Sequence, residues 1–224
     1  MNLKKYIQEK KTNSFTFKGV EVIIKDQITQ DVSVKSVLNT LTSKVPAHLL
    51  LNFNKLYIGD FKQMRDRQIQ AYYSNKSIYI TNNLKNEEDL LDDLIHEISH
   101  SLEKQYNELI YGDKKVEKEF LIKRKQMWNQ LKNNSIELPL KYFLNAEYDV
   151  EFDEILYKEI GYTVLSAVTS NIFYSPYAAT SINEYFANGF EAFFMGEDIT
   201  RLKNTSPELF TKIVKLLESE RKFK

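Results

Sequence analysis

The stretch Asn86-Glu87-Glu88-Asp89-Leu90-Leu91-Asp92-Asp93-Leu94-Ile95-His96-Glu97-Ile98-Ser99-His100-Ser101-Leu102 decides how the rest of the chain is read. Asn86 is a good helix N-cap, and Glu87, Glu88 and Asp89 put negative charge in the first turn, where the helix dipole favours it. Leu91, Ile95, Ile98 and Leu102 recur at helical spacing and predict a buried stripe, with His96 and His100 on an adjoining face. Histidines four apart on a helix lie on one face a turn apart, so both can reach one metal ion. Glu97, between them, is angled toward a water on such an ion rather than toward the ion. His-Glu-x-x-His is the arrangement of zinc hydrolases. The bland alternative is a surface helix that happens to carry two histidines, and the agreement of cap, stripe and spacing argues against it.

Upstream, Phe15 to Lys25 alternates, with Val20, Val22 and Ile24 on one face, and reads as a strand. Asp31 to Leu41 predicts a helix ending before Pro46, and a short polar helix fits Leu3 to Lys11. Leu56 to Ile58 reads as a second strand. Ile69–Ser74 and Ser77–Thr81 flank Asn75-Lys76 and predict a hairpin, Asn75 suiting a positive φ. Downstream of Gly112 the pattern turns helical. Lys114 to Lys132 reads as a solvated amphipathic helix, because glutamates interleave its lysines and Arg124 and speak against a nucleic-acid face. Phe152–Ile160, Tyr162–Ser170 and Ile182–Met195 follow as helices, with a loop over Asn171–Thr180, and Pro207 opens a last amphipathic helix. The fold class expected is α+β: a small mixed or antiparallel sheet plus the motif helix, then a mostly helical part. We expect one domain over residues 1–224, with an N-terminal lobe of about 1–107, a helical lobe of about 108–224 and a cleft between them.

Composition narrows the chemistry. Basic and acidic residues balance at 31 each, so nothing calls for nucleic acid or an anionic membrane surface. No run approaches the ~20 apolar residues of a membrane span, and no apolar core of signal-peptide length precedes Glu9. The expectation is an intracellular protein, with a removed leader or non-classical export left open. Oligomeric state is not legible.

A catalytic zinc site usually takes three protein ligands and a water. The chain has three histidines and no cysteine, and the third, His48, sits in the apolar stretch Pro46–Leu50, which suits a structural role. The third ligand is therefore expected to be a carboxylate. Glu184, in Ser181-Ile182-Asn183-Glu184-Tyr185-Phe186-Ala187-Asn188-Gly189, is the leading candidate on an otherwise apolar helix, with Glu191 as the fallback. Asn188, one turn on, offers an amide oxygen to orient a ligating histidine. Gly189 suits a close approach between the two ligand-bearing helices. Ser181-x-x-Glu184 fits a capping box as well, in which Glu184 bonds back to the Ser181 N–H and meets no metal. Asp93, one turn before Glu97, is placed to raise its pKa by repulsion.

His96 to His100, Tyr177, and then Glu184-Tyr185-Phe186-Ala187 together resemble the catalytic domain of anthrax lethal factor and the related Pro-Pro endopeptidases. Leu202-Lys203, Pro207 and the terminal amphipathic helix are similar too. The resemblance covers the motif helix and the segment from Tyr174 to the end. It implies a zincin-like fold of gluzincin type and a zinc-dependent endopeptidase acting on a peptide or protein substrate. It implies one Zn²⁺ held by His96, His100 and Glu184, with Glu97 as general base and Tyr177, seven residues before Glu184, assisting catalysis. The family usually carries an acidic residue where this chain has Asn188. A catalytically inactive zinc-bearing structural or regulatory protein is the alternative, and a helical interaction protein without metal is the third reading.

Overall fold

The structure of the protein, a computed structural model, describes residues 13–29, 31–196 and 199–219. The helix expected over Leu3–Lys11 lies outside them. The chain is α+β and divides into two compact units, Met1–Ser101 and Leu102–Lys224. The division falls inside the helix that carries the two histidines.

In the first unit, β1 (Asn13–Phe17), β2 (Val20–Ile24), β3 (Lys55–Gly59), β4 (Ala71–Ser74) and β5 (Ser77–Thr81) form one five-stranded mixed sheet in the order β1-β2-β3-β5-β4. The seams β2–β3 and β3–β5 are parallel, and the two outer pairs are antiparallel. Val22, Leu56 and Ile78 are aligned across the sheet, as are Ile58 and Ile80, and all five are fully buried. Period-2 alternation sends the tyrosines to the opposite face. There Tyr57 and Tyr72 both stack on Tyr79, with centroids 4.9 and 4.6 Å away.

The expected hairpin at Asn75-Lys76 is present, with both residues at positive φ (48° and 59°) and Ser74 opposite Ser77. The single strand expected over Phe15–Lys25 is instead a second hairpin. Lys18 and Gly19 take φ of 47° and 88°, so the chain reverses on two residues and Phe17 pairs with Val20. α1 (Val34–Lys44), capped by the Ser33 hydroxyl, connects β2 to β3, and α2 (Lys62–Arg67), which the sequence pattern did not suggest, follows β3. α3 (Glu87–Tyr111) starts where expected: the Asn86 side chain accepts the Asp89 N–H at 2.8 Å. Glu87 also accepts from the Ser33 N–H at 3.1 Å and the Ser36 hydroxyl at 3.0 Å, so one carboxylate ties the starts of α1 and α3 together. α3 continues past Leu102 to Tyr111 and departs from helical geometry at Tyr106 (φ −107°, ψ 19°).

The second unit continues with α4 (Lys115–Asn133), α5 (Val150–Glu154), a π-helical stretch (Ile155–Ile160), α6 (Tyr162–Thr169), α7 (Ile182–Met195), α8 (Ile199–Thr205) and α9 (Pro207–Glu218). α8 was unexpected, as were the short 3-10 turns Leu140–Leu144 and Tyr177–Ala179. Among the described residues no helix is long and apolar enough to cross a membrane. α4 corrects the sequence reading. It is not simply a solvated lysine-rich helix, because Arg124 is fully buried and Lys123 is 5 % exposed.

Gly189 does serve a close approach, but toward α9 rather than the motif helix. A Cβ there would overlap the buried Leu209 side chain. Alanine gains ~1 kcal/mol in helix propensity, whereas overpacking a core costs about 1–3 kcal/mol. Gly189→Ala is therefore expected to lower the urea midpoint of unfolding at an unchanged m-value. A raised midpoint would show that the α7–α9 contact has room to spare.

Candidate metal centre

α3 holds His96, Glu97 and His100 in regular helix, five residues or more before the break at Tyr106. The two imidazoles face one another edge to face, centroids 5.1 Å apart at 74°. Both histidines are partly exposed, whereas Glu97 is buried at 6 % exposure. The opposite side of the helix is anchored: Leu94, Ile95 and Ile98 are fully buried, and the Ser99 hydroxyl donates to the His96 carbonyl at 2.6 Å. Burial, then the neighbouring Asp89, Asp92 and Glu97, pushes the Asp93 carboxyl up to about 7, with His96 opposing. The acidic crowding anticipated from the sequence thus falls on Asp93 itself.

On α7, Ser181 is the N-cap and its hydroxyl accepts the Glu184 N–H at 3.1 Å. The next residue before Glu184 on the helix, Asn183, donates to the Glu103 carboxylate, which also accepts from the Tyr111 hydroxyl at 2.8 Å. Glu103 stands three residues beyond His100 on α3, one turn away. In this arrangement His96, His100 and Glu184 form a group able to hold a metal ion, with one ligand atom from each within 4.8 Å of the others. Ser181 thus supplies the half of the capping box that runs from its hydroxyl to the Glu184 N–H. His48, in the turn Ala47–Leu50, and Glu191 are not members of the group.

Two imidazoles and a carboxylate are a zinc donor set. Zinc bonds of ~2.0–2.2 Å place donor atoms about 3.4 Å apart, inside the 4.8 Å within which these three ligand atoms lie.

Asn188 has a different partner from the one expected. It is 5 % exposed, its amide donates to the Glu184 carbonyl at 3.1 Å, and its oxygen accepts from the Ser175 hydroxyl rather than from a histidine. Ser175 in turn accepts the Ala178 N–H at 3.3 Å, so Asn188 braces the loop that carries Tyr177. Tyr177 opens the short turn Tyr177–Ala179. Burial first, then the charge of Glu184, pushes its phenol well above the usual tyrosine range.

The residue that sequence reasoning missed is Arg124. Its Nη1 donates to the carbonyls of Ala179 (2.5 Å) and Thr180 (3.1 Å), and its Nη2 to those of Tyr142 (2.5 Å) and Asn145 (3.0 Å). The guanidinium lies 4.2 Å from the Phe152 ring centroid. Beside it, the Ile182 N–H donates to the Ala146 carbonyl at 2.8 Å. Together these bonds fix the backbone between Tyr177 and Glu184. The only sequence signal was an arginine among lysines.

The chain matches no protein-family model, no curated protein and no solved structure.

Glu184→Ala is expected to reduce bound zinc from one equivalent to none, measured by elemental analysis after dialysis. Unchanged zinc content would leave Glu184 with a helix-start role alone. Asp93 supplies a pH signature. A carboxyl whose folded pKa of about 7 exceeds its ordinary 3.8 stabilises the fold below the lower value, and that contribution disappears as pH rises through the upper one. In metal-free protein, Asp93→Asn should be more stable than the parent at about pH 8, the difference fading near about pH 4. A difference that is constant with pH would contradict this.

Proposed function

We propose that this chain is a zinc-dependent endopeptidase with a zincin-like fold, of the lethal factor and Pro-Pro endopeptidase type. The observation that carries the reading is the meeting of His96, His100 and Glu184 in one metal-capable group. His96, His100 and Glu184 would hold the zinc. Bound there, it would lower the pKa of a water toward ~7 and polarise the scissile carbonyl.

Glu97 would take the proton of the attacking water and return it to the leaving amine. Its burial favours this role, because a carboxylate shielded from solvent interacts more strongly with nearby charge. Tyr177 keeps its proton at neutral pH, its pKa being raised by burial and by Glu184, and so remains a donor for the developing oxyanion. Asn188, Ser175 and Arg124 touch no substrate in this scheme. They hold the Tyr177 turn and the start of α7 in place.

One observation favours the second reading, a zinc-bearing structural or regulatory protein. Asn188 stands where the family carries an acid, and its amide is committed to Ser175 and the Glu184 carbonyl. A single experiment separates the two. Zinc-loaded protein is offered a diverse peptide library with and without a chelator, beside Glu97→Gln and Tyr177→Phe. The peptidase reading expects chelator-sensitive cleavage, a Glu97→Gln chain that retains one zinc with turnover down about 10²–10⁴-fold, and a Tyr177→Phe chain slowed about 10²-fold in kcat. Full zinc occupancy without cleavage would favour the structural reading, and cleavage surviving in Glu97→Gln would refute the role given to that residue.

A further inference from the structure

The second unit carries a groove of about 600 Å³ between α4, the Asn171 loop and the α8–α9 junction. Its volume falls in the range of small-molecule sites, ~300–1,000 Å³. None of the residues assigned to the metal centre lines it.

Lys123 is the unusual member of its wall. The side chain is 95 % buried, and its ammonium lies 5.5 and 5.7 Å from the ring centroids of Phe173 and Tyr185. It donates one hydrogen bond, to the Ile172 carbonyl. An ammonium has three donors, so two are left without a hydrogen-bonding partner among the described residues. Leaving donors of a buried charge unfilled is costly, and an acceptor inside the groove would relieve that cost. The neighbouring carboxylate, Glu119, sets its charge against Lys123 but gives it no hydrogen bond: its oxygens accept from the Tyr185 hydroxyl at 2.8 Å and from the backbone N–H groups of Glu208 and Leu209 at 2.8 and 3.1 Å. Glu208 lies 3.9 Å from Lys115. Lys118, exposed at the groove, has no ion pair among the described residues. Lys118 at the mouth is thus without an ion pair, Lys123 keeps two unfilled donors beside the Glu119 charge, and the side-chain amides of Gln126, Asn171 and Asn204 also line the groove.

We infer that this groove binds a small molecule bearing an oxyanion group, phosphate or carboxylate, with Lys123 as its buried anchor and Lys118 at its entrance. Ile122, half-exposed on the wall, gives such a ligand an apolar surface beside its charge. Desolvation brings the Lys123 pKa down to about 8. A bound oxyanion would restore it, because an opposite charge favours the protonated amine. The site is independent of the peptidase reading.

The test is calorimetric titration of inorganic phosphate, and separately of citrate, into the full metal-free chain near neutral pH. Saturable binding of at least one anion is expected, weakened at least tenfold by Lys118→Glu and abolished by Lys123→Met. Should Lys123→Met fail to fold, Lys118→Glu decides alone, since that side chain is exposed. Binding of phosphate only identifies a phosphoryl group as the ligand's handle, and binding of citrate only identifies a carboxylate. The same constants must be found in the Glu184→Ala chain, and loss of binding there would assign the anion to the metal centre instead. Absence of saturation by either anion, or binding indifferent to Lys118→Glu, would overturn the inference.

Discussion

A guanidinium without solvent must find every partner within the protein, and that requirement on Arg124 organises the second unit. Burying an unpaired charge costs several kcal/mol, and breaking a buried pairing typically costs about 3–5 kcal/mol. Arg124 meets most of the demand with four backbone carbonyls, drawn from Tyr142, Asn145, Ala179 and Thr180, and with the faces of Phe152 and Phe120, while its Nε is left without a hydrogen bond among the described residues. Those carbonyls belong to short 3-10 turns and the residues just after them, where a long helix or sheet ladder is not there to satisfy them. One side chain therefore solves two problems: it is compensated by the loops, and the loops are satisfied by it. The Tyr177 turn and the Ser181 cap follow directly from that anchorage, and Glu184 follows from the cap.

What the sequence made legible was the chemistry that acts over a few residues. The Asn86 cap, the positive-φ turn at Asn75-Lys76, the Ser181 start of α7 and the Pro207 start of α9 each depend on a side chain and its immediate backbone. The histidine spacing belongs to the same class, since helix geometry alone puts His96 and His100 on one face. Scarcity of histidine and absence of cysteine then pointed to a carboxylate, and Glu184 has an oxygen within 4.8 Å of the two imidazoles.

What was not legible depends on partners distant in sequence. Arg124 and its lysine neighbours have identical local patterns, and only the carbonyls waiting some 20 to 55 residues away distinguish it. Gly189 signalled a close approach but could not say to which helix. Asn188 looked free to orient a histidine because nothing local revealed the Ser175 hydroxyl, 13 residues earlier. Lys18-Gly19 was a different failure. The turn chemistry was present, but the alternation of valines on both sides was read as one continuous strand.

The sheet's topology bears on the order in which the first unit assembles. Its two outer pairs, β1–β2 and β4–β5, close on two-residue reversals, and such hairpins form in about 1–10 μs. The parallel seams cannot form that way, because β2 and β3 are joined only through α1 and a connection of about thirty residues. Local closure entropy is met early and long-range closure late. β3 is thus the strand on which two preformed hairpins converge, and the tyrosine stack spanning β3, β5 and β4 is complete only once that convergence has occurred.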